Sequence, residues 1–342
     1  MRKVLVTGAN GFVGANLVRV LLEHGDDVRA LVRPGCDRRS LAHLPVELAE
    51  GDVRDAAAVR RAVTGCAHVH HVAADYRLWA RDPGALWATN VLGTTNVLEA
   101  CRALGVERVV HTSTVGTIGL SASRPADEAT PLAPGRLTSP YKRSKLEAER
   151  VALSFAAEGL PVVIVNPTAP VGPWDAKPTP TGKILVDFAC GRIPAFVDTG
   201  LNVVHVRDVA EGHRLAAERG RVGERYVLGH RNMTLREILA ELAELLGRPA
   251  PRVRLPWAAA WIAGAVSTAI ANAVTHRPPA IPLEGVRMAR RRMFVDGSKA
   301  VRELGLPQTP VRTAFEDALR WYAERGYVSQ LTGPRGVAWG SR

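Results

Sequence analysis

The fold of this chain is decided by a stretch near its start, Lys3-Val4-Leu5-Val6-Thr7-Gly8-Ala9-Asn10-Gly11-Phe12-Val13-Gly14. The apolar residues at its beginning predict a buried strand, and Leu17, Val20 and Leu21 then recur at helical spacing. Glycine at every third position lets the backbone turn tightly and approach another group closely. The N–H groups at the start of the helix face that group with a partial positive charge. This arrangement is a seat for the pyrophosphate of a dinucleotide.

The glycine spacing is Gly-x-x-Gly-x-x-Gly, whereas the commoner dinucleotide motif is Gly-x-Gly-x-x-Gly. A flexible turn would account for three glycines alone. Their place between a strand and a helix favours the dinucleotide instead. The residues of the turn that we expect to contact the cofactor are Gly8, Asn10, Gly11, Phe12, Val13 and Gly14.

The end of the second predicted strand, Asp27 to Arg33, bears on which dinucleotide is bound. In dinucleotide folds this strand ends beside the adenosine ribose, where a carboxylate would bind the free 2′-hydroxyl. Arg33 occupies that place here, with Arg38 and Arg39 nearby. Because a guanidinium suits a 2′-phosphate, NADP is favoured over NAD. The alternative is three solvated arginines in an arginine-rich chain, which leaves NAD open.

Strands and helices alternate along the first half of the chain. The further predicted strands are Val46 to Ala49, His68 to Ala74, Glu107 to Thr112 and Pro161 to Val165, and the long predicted helices are Leu86 to Leu104 and one that begins at Pro140. Alternation at this spacing is typical of a doubly wound parallel sheet. The predicted fold class is therefore α/β.

The character of the sequence changes after residue 166. Asn166 to Trp174 is rich in proline and cannot form a helix, and we expect a long loop through Thr181. Shorter elements follow. The expected domains are a dinucleotide-binding domain at 1–166, completed by strands near 203–206 and 225–228, a mostly substrate-binding α+β lobe at 167–325, and a tail at 326–342.

Small and acidic residues after the middle strands extend the predicted cofactor site. Asp52 can accept a hydrogen bond from the adenine amino group, with Val53 beside it. Its alternative role is to cap the next helix, which Asp55 would serve equally well. Ala73 and Ala74 follow the fourth strand, where small side chains let a flat ring or the phosphates lie against the backbone.

Composition excludes several classes of protein. The four cysteines and the ten histidines show no metal-ligand spacing, so no metal site and no disulfide framework is expected. The net charge of +12 comes mostly from arginines spread along the chain, which argues against a nucleic-acid patch. The first apolar run is too short for a signal peptide, and a cytoplasmic protein is expected.

The segment Leu255 to Thr275 carries no charged residue and has about the length of a membrane span. It is rich in alanine and also contains Ser267, Thr268 and Asn272. A buried helix is the plainer interpretation. The alternative is an amphipathic or weakly inserted membrane contact, which would make the protein membrane-associated.

Tyr141 and Lys145 are four residues apart, which places them on one helix face one turn apart. A lysine cation beside a phenol stabilises the phenolate and lowers its pKa. Such a tyrosine could exchange a proton with a substrate hydroxyl or carbonyl. The pair could also be incidental, but it opens the helix after strand five, and Ser113-Thr114 ends that strand.

These motifs resemble those of the extended short-chain dehydrogenases/reductases, the NAD(P)-dependent epimerase/dehydratase family. The resemblance covers about residues 1–325. It is carried by the glycine turn, Asp52, Asn90 with Gly93-Thr94, Ser113-Thr114, Tyr141-x-x-x-Lys145, Val204 to Ala210 and Asp296 to Ala300. It implies a Rossmann-like sheet with a smaller C-terminal lobe and, usually, a homodimer.

The resemblance also implies roles for individual residues. Thr114, Tyr141 and Lys145 would be catalytic and Asn90 accessory, with Ser113 as the fallback for Thr114. Lys145 would also bind the nicotinamide ribose, and the nicotinamide would lie near Asn166-Pro167, with Thr112 a further cofactor contact. The expected substrate contacts are Ser113, Tyr76, Thr168 and Trp174.

A closer likeness is to the bacterial hopanoid-associated sugar epimerases. It is carried by Asn166 to Pro173, Lys177 to Gly182 and Val197 to His205. It implies an epimerase that acts on a sugar or polyol in hopanoid biosynthesis. Nucleotide-sugar epimerases usually have an acidic residue where this chain has Arg33, which favours instead an NADPH-dependent ketone or aldehyde reductase of the dihydroflavonol-reductase type.

Three functions therefore remain open from the sequence. An epimerase would keep its cofactor bound, whereas a reductase would exchange it at every turnover. A non-catalytic cofactor sensor is less favoured because such proteins often lack the tyrosine or the lysine. The expected substrate is a sugar, a polyol or a lipid-linked polyol.

Overall fold

The computed structural model describes residues 2–121, 123–132, 137, 139–328, 331–332 and 338–339. Its strands, in chain order, are β1 Lys3–Thr7, β2 Asp27–Val32, β3 Glu47–Glu50, β4 His68–His71, β5 Arg108–Thr112, β6 Val162–Pro167, β7 Ala169–Val171, β8 Ala195–Val197, β9 Gly200–His205, β10 Arg225–Leu228, β11 Arg231–Thr234, β12 Val253–Leu255, β13 Arg292–Met293, β14 Leu331–Thr332 and β15 Ala338–Trp339.

The α-helices are α1 Phe12–Glu23, α2 Ala56–Val63, α3 Pro83–Trp87, α4 Gly93–Ala103, α5 Pro140–Ala157, α6 Pro180–Ala189, α7 Val206–Arg219, α8 Leu235–Leu246, α9 Trp257–Ile270, α10 Leu283–Met288, α11 Ser298–Leu304 and α12 Val311–Glu324. Two π-helical segments, Ala88–Leu92 and Ala271–Thr275, and two 3₁₀ turns, Arg39–Leu41 and Val115–Thr117, complete the described elements.

Seven strands form one parallel sheet in the order β3-β2-β1-β4-β5-β6-β10. Chain order reverses between β1 and β4, and in open α/β sheets ligands bind at that point, beyond the carboxyl ends of the strands. The predicted parallel α/β sheet is confirmed. The observed strand bounds differ from the predicted ones by at most three residues.

The sheet is buried on both faces because its strands are runs of apolar residues. Leu5, Val69 and Val109 point to one face, where they pack with residues of α2, α4 and α5. Val4 and Val6 point to the other face and pack against α1. Successive side chains on a strand alternate in direction, so a continuous apolar run supplies both layers.

A second core lies among the elements after β6. It joins β7 and β9 to α6, α8 and α12, with Leu185, Leu242, Phe315 and Leu319 fully buried. The proline-rich stretch expected as a loop contains β7, which pairs with β9 in parallel. The predicted domain boundaries at residues 166 and 325 stay predictions.

The predicted buried helix at 255–275 is wrong. The structure forms α9 and a π-helical turn there, and only Gly264 and Ala271 of the helical residues are buried. Ile262, Val266 and Val274 are each more than half exposed. An apolar sequence therefore lies on the surface of the described chain.

Candidate active site

The glycine turn has the close approach that its sequence predicts. Gly8 has φ +65°, and a Cβ there would lie 2.8 Å from Cα of Ala73. A Cβ on Gly14 would lie 2.2 Å from the carbonyl oxygen of Gly8. Larger residues would push the β1–α1 turn away from the end of β4. Two of the three glycines are thus required by the backbone itself.

The start of α1 is open to an anion. Gly11 is the N-cap, and no side chain caps the helix, so its first N–H groups lack an intrahelical partner. The Asn10 side chain donates to the carbonyl of Asp37 at 3.0 Å, and the Ser40 hydroxyl donates to the carbonyl of Asn10 at 3.0 Å. These bonds hold the turn without blocking the helix end. The residues present fit a dinucleotide pyrophosphate.

The three arginines after β2 have different surroundings. Arg38 pairs with Glu50, and Arg39 pairs with Asp37. Arg33 is exposed and pairs with no carboxylate of the described residues. Arg33 is therefore the guanidinium that is available to a phosphate at this edge of the sheet.

The sequence left open whether Asp52 accepts from the adenine or caps α2, a role that Asp55 would serve equally well. Asp55 caps α2 and accepts from the backbone N–H groups of Ala57 and Ala58 at 2.9 and 3.1 Å. Asp52 does not cap the helix. Arg54 binds it at 2.8 Å, and Arg54 and Arg33 lower its pKa. Asp52 thus stays an ionised acceptor, with buried Val53 next to it.

Tyr141 lies in the first turn of α5, which Ser139 caps and Pro140 opens. Burial raises the pKa of its phenol to about 12, although a hydrogen bond with Thr114 opposes this. The lowering of this pKa by Lys145 that the sequence predicted is not found among the causes of the shift. The phenol is therefore a neutral O–H group held next to the Thr114 hydroxyl.

Lys145 is buried one turn further along α5. Its ammonium group donates to the Thr112 carbonyl at 2.6 Å. Burial lowers its pKa to about 8, and Glu149 opposes this. Thr112 in turn bonds through its hydroxyl with His213 at 2.9 Å. The ammonium is thus fixed at the carboxyl end of β5, where the predicted cofactor contact Thr112 also lies.

A buried carboxylate that the sequence did not reveal lies one turn after Lys145. Glu149 accepts hydrogen bonds from Ser113, Thr117 (2.8 Å) and Asn166 (3.0 Å), and Arg225 pairs with it at 3.3 Å. The Ser113 hydroxyl therefore points to Glu149, whereas Thr114 meets Tyr141. These contacts tie the ends of β5 and β6 to α5.

Asn90 connects the π-helical segment to the same helix. Its side chain donates to the Ser144 hydroxyl at 2.9 Å and to the carbonyl of Asp75 at 3.0 Å, and it accepts from the N–H of Asp75 at 2.7 Å. The Ser144 hydroxyl donates to the carbonyl of Tyr141 at 2.8 Å. Asn90 thus positions the Tyr141 turn from behind.

His71 is the centre of a second buried chain of hydrogen bonds. Its ring nitrogens lie 2.9 Å from the Thr7 hydroxyl and 3.0 Å from the Thr94 hydroxyl. Thr7 accepts from the N–H of Ala73, and Thr94 donates to the carbonyl of Asn90. Burial lowers the pKa of His71 to about 3, so the ring stays neutral. This series of hydrogen bonds connects the glycine turn to Asn90.

The expected substrate residues have mixed surroundings. Tyr76 is 46% exposed, next to Ala73-Ala74 and Asp75 in sequence. The Thr168 hydroxyl has no hydrogen-bond partner among the described residues. The Trp174 ring, by contrast, is covered by the Arg19 guanidinium at 3.6 Å and packs near Trp321.

The sequence pattern of the NAD-dependent epimerase/dehydratase family matches residues 4–229. The chain belongs to this family. The resemblance of the motifs to the extended short-chain dehydrogenases/reductases is thereby confirmed.

Three similar proteins cover nearly the whole chain. A protein of Synechocystis with the provisional name dihydroflavonol 4-reductase is 46% identical, over 94% of this chain and 95% of its own. Sterol demethylase protein B of Methylococcus capsulatus is 39% identical, over 95% and 99%. The crystal structure of gox2253 has a TM-score of 0.85 and 42% identity, over 96% and 100%.

Membership in the epimerase/dehydratase family makes this protein an NAD(P)-dependent enzyme that acts on small molecules. A nicotinamide dinucleotide is therefore its cofactor. In the part of the chain that the structure describes, no cluster of His, Cys, Asp and Glu could hold a metal ion.

The buried ammonium of Lys145 destabilises the folded protein, so Lys145→Met is expected to raise stability. Unfolding restores the ordinary pKa of 10.5, whereas the folded pKa is about 8. The charged form therefore carries a cost below pH 8 that disappears as the pH rises to 10.5. We expect the variant to be more stable by about 1–3 kcal/mol at pH 7. Urea unfolding at pH 7 and pH 10 checks this, and a difference that grows with pH would contradict it.

Proposed function

We propose that this protein reduces the ketone or aldehyde group of a lipophilic small molecule with NADPH. The observation that carries the proposal is the protonated phenol of Tyr141 beside the Thr114 hydroxyl. Both lie on elements that end at the edge of the sheet where the glycine turn opens. A protonated tyrosine is the form that reduction requires, since a carbonyl oxygen must gain a proton.

The two hydroxyl groups define where the carbonyl oxygen would lie. Thr114 donates a hydrogen bond to that oxygen, and Tyr141 gives it a proton as negative charge develops there. A phenol with a pKa near 12 can protonate an alkoxide, because the alkoxide is the stronger base. The bound dihydronicotinamide supplies the hydride for the carbonyl carbon.

The surrounding residues are proposed to position this pair and the cofactor. Lys145 holds its ammonium at the end of β5, where it would bind the nicotinamide ribose, and Asn90 supports the Tyr141 turn through Ser144. The proposed contacts of the dinucleotide are the glycine turn with Asn10, Phe12 and Val13, Arg33, Asp52, Val53, Ala73, Ala74, Thr112, Tyr141, Asn166 and Pro167. Tyr76 and Thr168 stay proposed substrate contacts. Ser113 and Trp174 are weaker ones, because the buried Ser113 hydroxyl donates to Glu149 and Arg19 covers the Trp174 ring.

The names of similar proteins support the reductase. A relative named as a reductase and another named for sterols both cover nearly the full chain. A reductase exchanges cofactor at every turnover and usually uses NADPH, which agrees with the unpaired guanidinium of Arg33. These names are the reason for proposing a lipophilic substrate.

The preference for NADPH can be tested through Arg33→Ser. A charge-assisted hydrogen bond to phosphate contributes about 1.5–3 kcal/mol, so the Kd for NADPH should rise about 10- to 100-fold. The Kd for NADH should change little. Fluorescence titration measures both. Arg38→Ser is the matched control, because Glu50 already pairs with Arg38; equal effects of the two variants would contradict the assignment of Arg33.

An epimerase that acts on a sugar or polyol is the second candidate. The family name and the sequence likeness at Asn166 to Pro173 favour it, and its link to hopanoid biosynthesis stays a prediction. An epimerase regenerates its cofactor within one turnover and has no need to release it.

The two candidates can be separated by denaturing purified protein and identifying the released nucleotide by mass spectrometry. We expect no stoichiometric nucleotide and reversible binding of added NADPH. Retained NAD in near-equal ratio to protein would overturn the reductase and favour the epimerase. We further propose a cytoplasmic homodimer, which gel filtration with light scattering tests.

A further inference from the structure

The surface formed by α9 and Ala271–Thr275 carries a continuous row of apolar side chains. Ile262, Val266, Ile270 and Val274, which we name the apolar stripe, are 59, 54, 48 and 71% exposed. Residues four apart lie on one face of a helix. The segment Trp257–Thr275 contains no charged residue and is long and apolar enough to cross a membrane.

The opposite face of this helix is fastened to the protein along its length. Gly264 packs against α10. The hydroxyl of Ser267 accepts from the N–H of Ile281 at 3.2 Å, and that of Thr268 accepts from the N–H of Leu283 at 3.0 Å. The polar side chains of the helix are thus used by the protein. The helix therefore lies flat on the molecule and does not project as a span.

The two ends of the helix reinforce this orientation. Near the N-terminal end, the indole of Trp257 donates to the carbonyl of Val286 at 2.9 Å. Near the C-terminal end, the indole of Trp79 donates to Asn272 at 2.8 Å. The large apolar side chains that this helix presents to the outside are the apolar stripe and Trp261, which is 38% exposed.

Exposed arginines flank the helix that carries the apolar stripe along the sequence, and one of them lies over a ring of that helix. Arg252 precedes the helix and Arg277 follows it, while Arg290 and Arg291 follow α10; all four are exposed. None of them has an ion pair with a carboxylate of the described residues. The Arg290 guanidinium lies 5.0 Å from the ring centre of Trp257. An apolar face bordered by arginines without an ion pair among the described residues is complementary to a surface with an apolar interior and an anionic outer layer.

We propose that this face docks on an anionic lipid bilayer. The helix lies in the plane of the interface, the apolar stripe enters the acyl boundary, and the arginines meet the phosphate headgroups. The charge of the whole chain, +12, adds long-range attraction to the same surface. A second copy of the chain would be the other occupant of an apolar face, but like-charged borders would then repel each other.

The docking face adjoins the candidate active site, and this part of the inference rests on the proposed function. Trp79, which binds Asn272, lies in the segment that follows Asp75 and Tyr76. Glu284 of α10 acts electrostatically on Lys142, the neighbour of Tyr141. A lipophilic carbonyl compound would therefore reach Tyr141 from the membrane side.

Co-sedimentation of the full chain with lipid vesicles tests the docking. We expect binding to phosphatidylcholine vesicles that contain phosphatidylglycerol, weaker binding as salt rises, and little binding to phosphatidylcholine alone. Ile262→Asp combined with Val266→Asp should lower the partition constant about 100-fold or more, because it removes apolar burial and adds negative charge. Leu48→Asp combined with Val222→Asp is the control, since these residues are similarly exposed elsewhere, and should bind like the wild type.

A second variant separates loss of docking from loss of folding. Arg277→Glu combined with Arg291→Glu leaves the apolar stripe intact and should abolish the preference for anionic vesicles. Thermal unfolding and NADPH binding confirm that each variant is folded. Wild-type protein that ignores anionic vesicles, or a stripe variant that binds like the wild type, would overturn the proposal. The proposal would also be overturned if the wild type did not bind vesicles and the stripe variant changed from dimer to monomer, because the face would then be a contact between two copies. Vesicle binding requires no turnover, so its failure is distinct from failure of the reductase.

Discussion

Tyr141→Phe is expected to lower carbonyl-dependent NADPH oxidation by about 10²- to 10⁴-fold, the usual contribution of a positioned proton donor. The substitution removes one oxygen and leaves the ring that fills its place. Cofactor binding should stay within about twofold of wild type, because the dinucleotide is held mainly by the glycine turn and the ends of other strands. The measurement is steady-state kinetics on whichever carbonyl compound the wild type reduces, with Kd for NADPH from fluorescence.

Tyr327→Phe is the matched control for this variant. The Tyr327 hydroxyl donates to the carbonyl of Ala176 at 2.6 Å, away from Thr114 and Lys145. It should keep nearly full activity. If Tyr141→Phe retains wild-type turnover, Tyr141 is not the proton donor and the proposed chemistry fails. A wild type that binds NADPH but turns over no substrate would favour the cofactor sensor.

Glu149→Ala is expected to destabilise the fold by about 3–5 kcal/mol, the cost of breaking a buried pair by removing one partner. The substitution leaves Arg225 without its carboxylate. It also removes the carboxylate acceptor shared by Ser113, Thr117 and Asn166, which adds to the cost. The free energy of unfolding from urea titration measures the effect.

Glu147→Ala on the same helix is the control. The Glu147 side chain is 38% exposed and pairs with Arg150 at 3.3 Å, so its loss should cost less than about 1 kcal/mol. Glu149→Gln should fall between the two, because the amide keeps an acceptor but loses the charge. Equal stability of the two alanine variants would mean that the Glu149 network does not hold the ends of β5 and β6 together.

The parallel sheet and the glycine turn could be predicted because their signals are local. Apolar runs, glycine spacing and helical periodicity each extend over a few residues, and the alternation of strands and helices indicates a parallel sheet. The Tyr141 and Lys145 spacing likewise placed both on one helix. Its electrostatic consequence was not predictable, since burial and not the nearby cation dominates the pKa of Tyr141.

The buried networks could not be read from the sequence because their members are far apart along the chain. Glu149 lies 36 residues from Ser113, 17 from Asn166 and 76 from Arg225. A lone glutamate in a helix is usually solvated, and nothing local marks this one as buried. His71 is a similar case, because its partners Thr7 and Thr94 come from two other elements.

The prediction that α9 is buried was wrong for a different reason. Apolar composition shows that a surface avoids water, but it does not say which other surface covers it. The described residues cover the face that carries Gly264 and leave the apolar stripe exposed. The hydrophobicity of a sequence predicts that its side chains avoid water, and it does not predict which surface covers them.

The central claim is that the glycine turn, Tyr141 and Thr114 belong to one nicotinamide site. A crystal structure of the protein with NADP⁺ tests this most directly. We predict the pyrophosphate at the start of α1, the 2′-phosphate at Arg33, and the nicotinamide ring beside Tyr141 and Thr114. A dinucleotide bound at another surface, or a nicotinamide ring remote from Tyr141, would contradict the account.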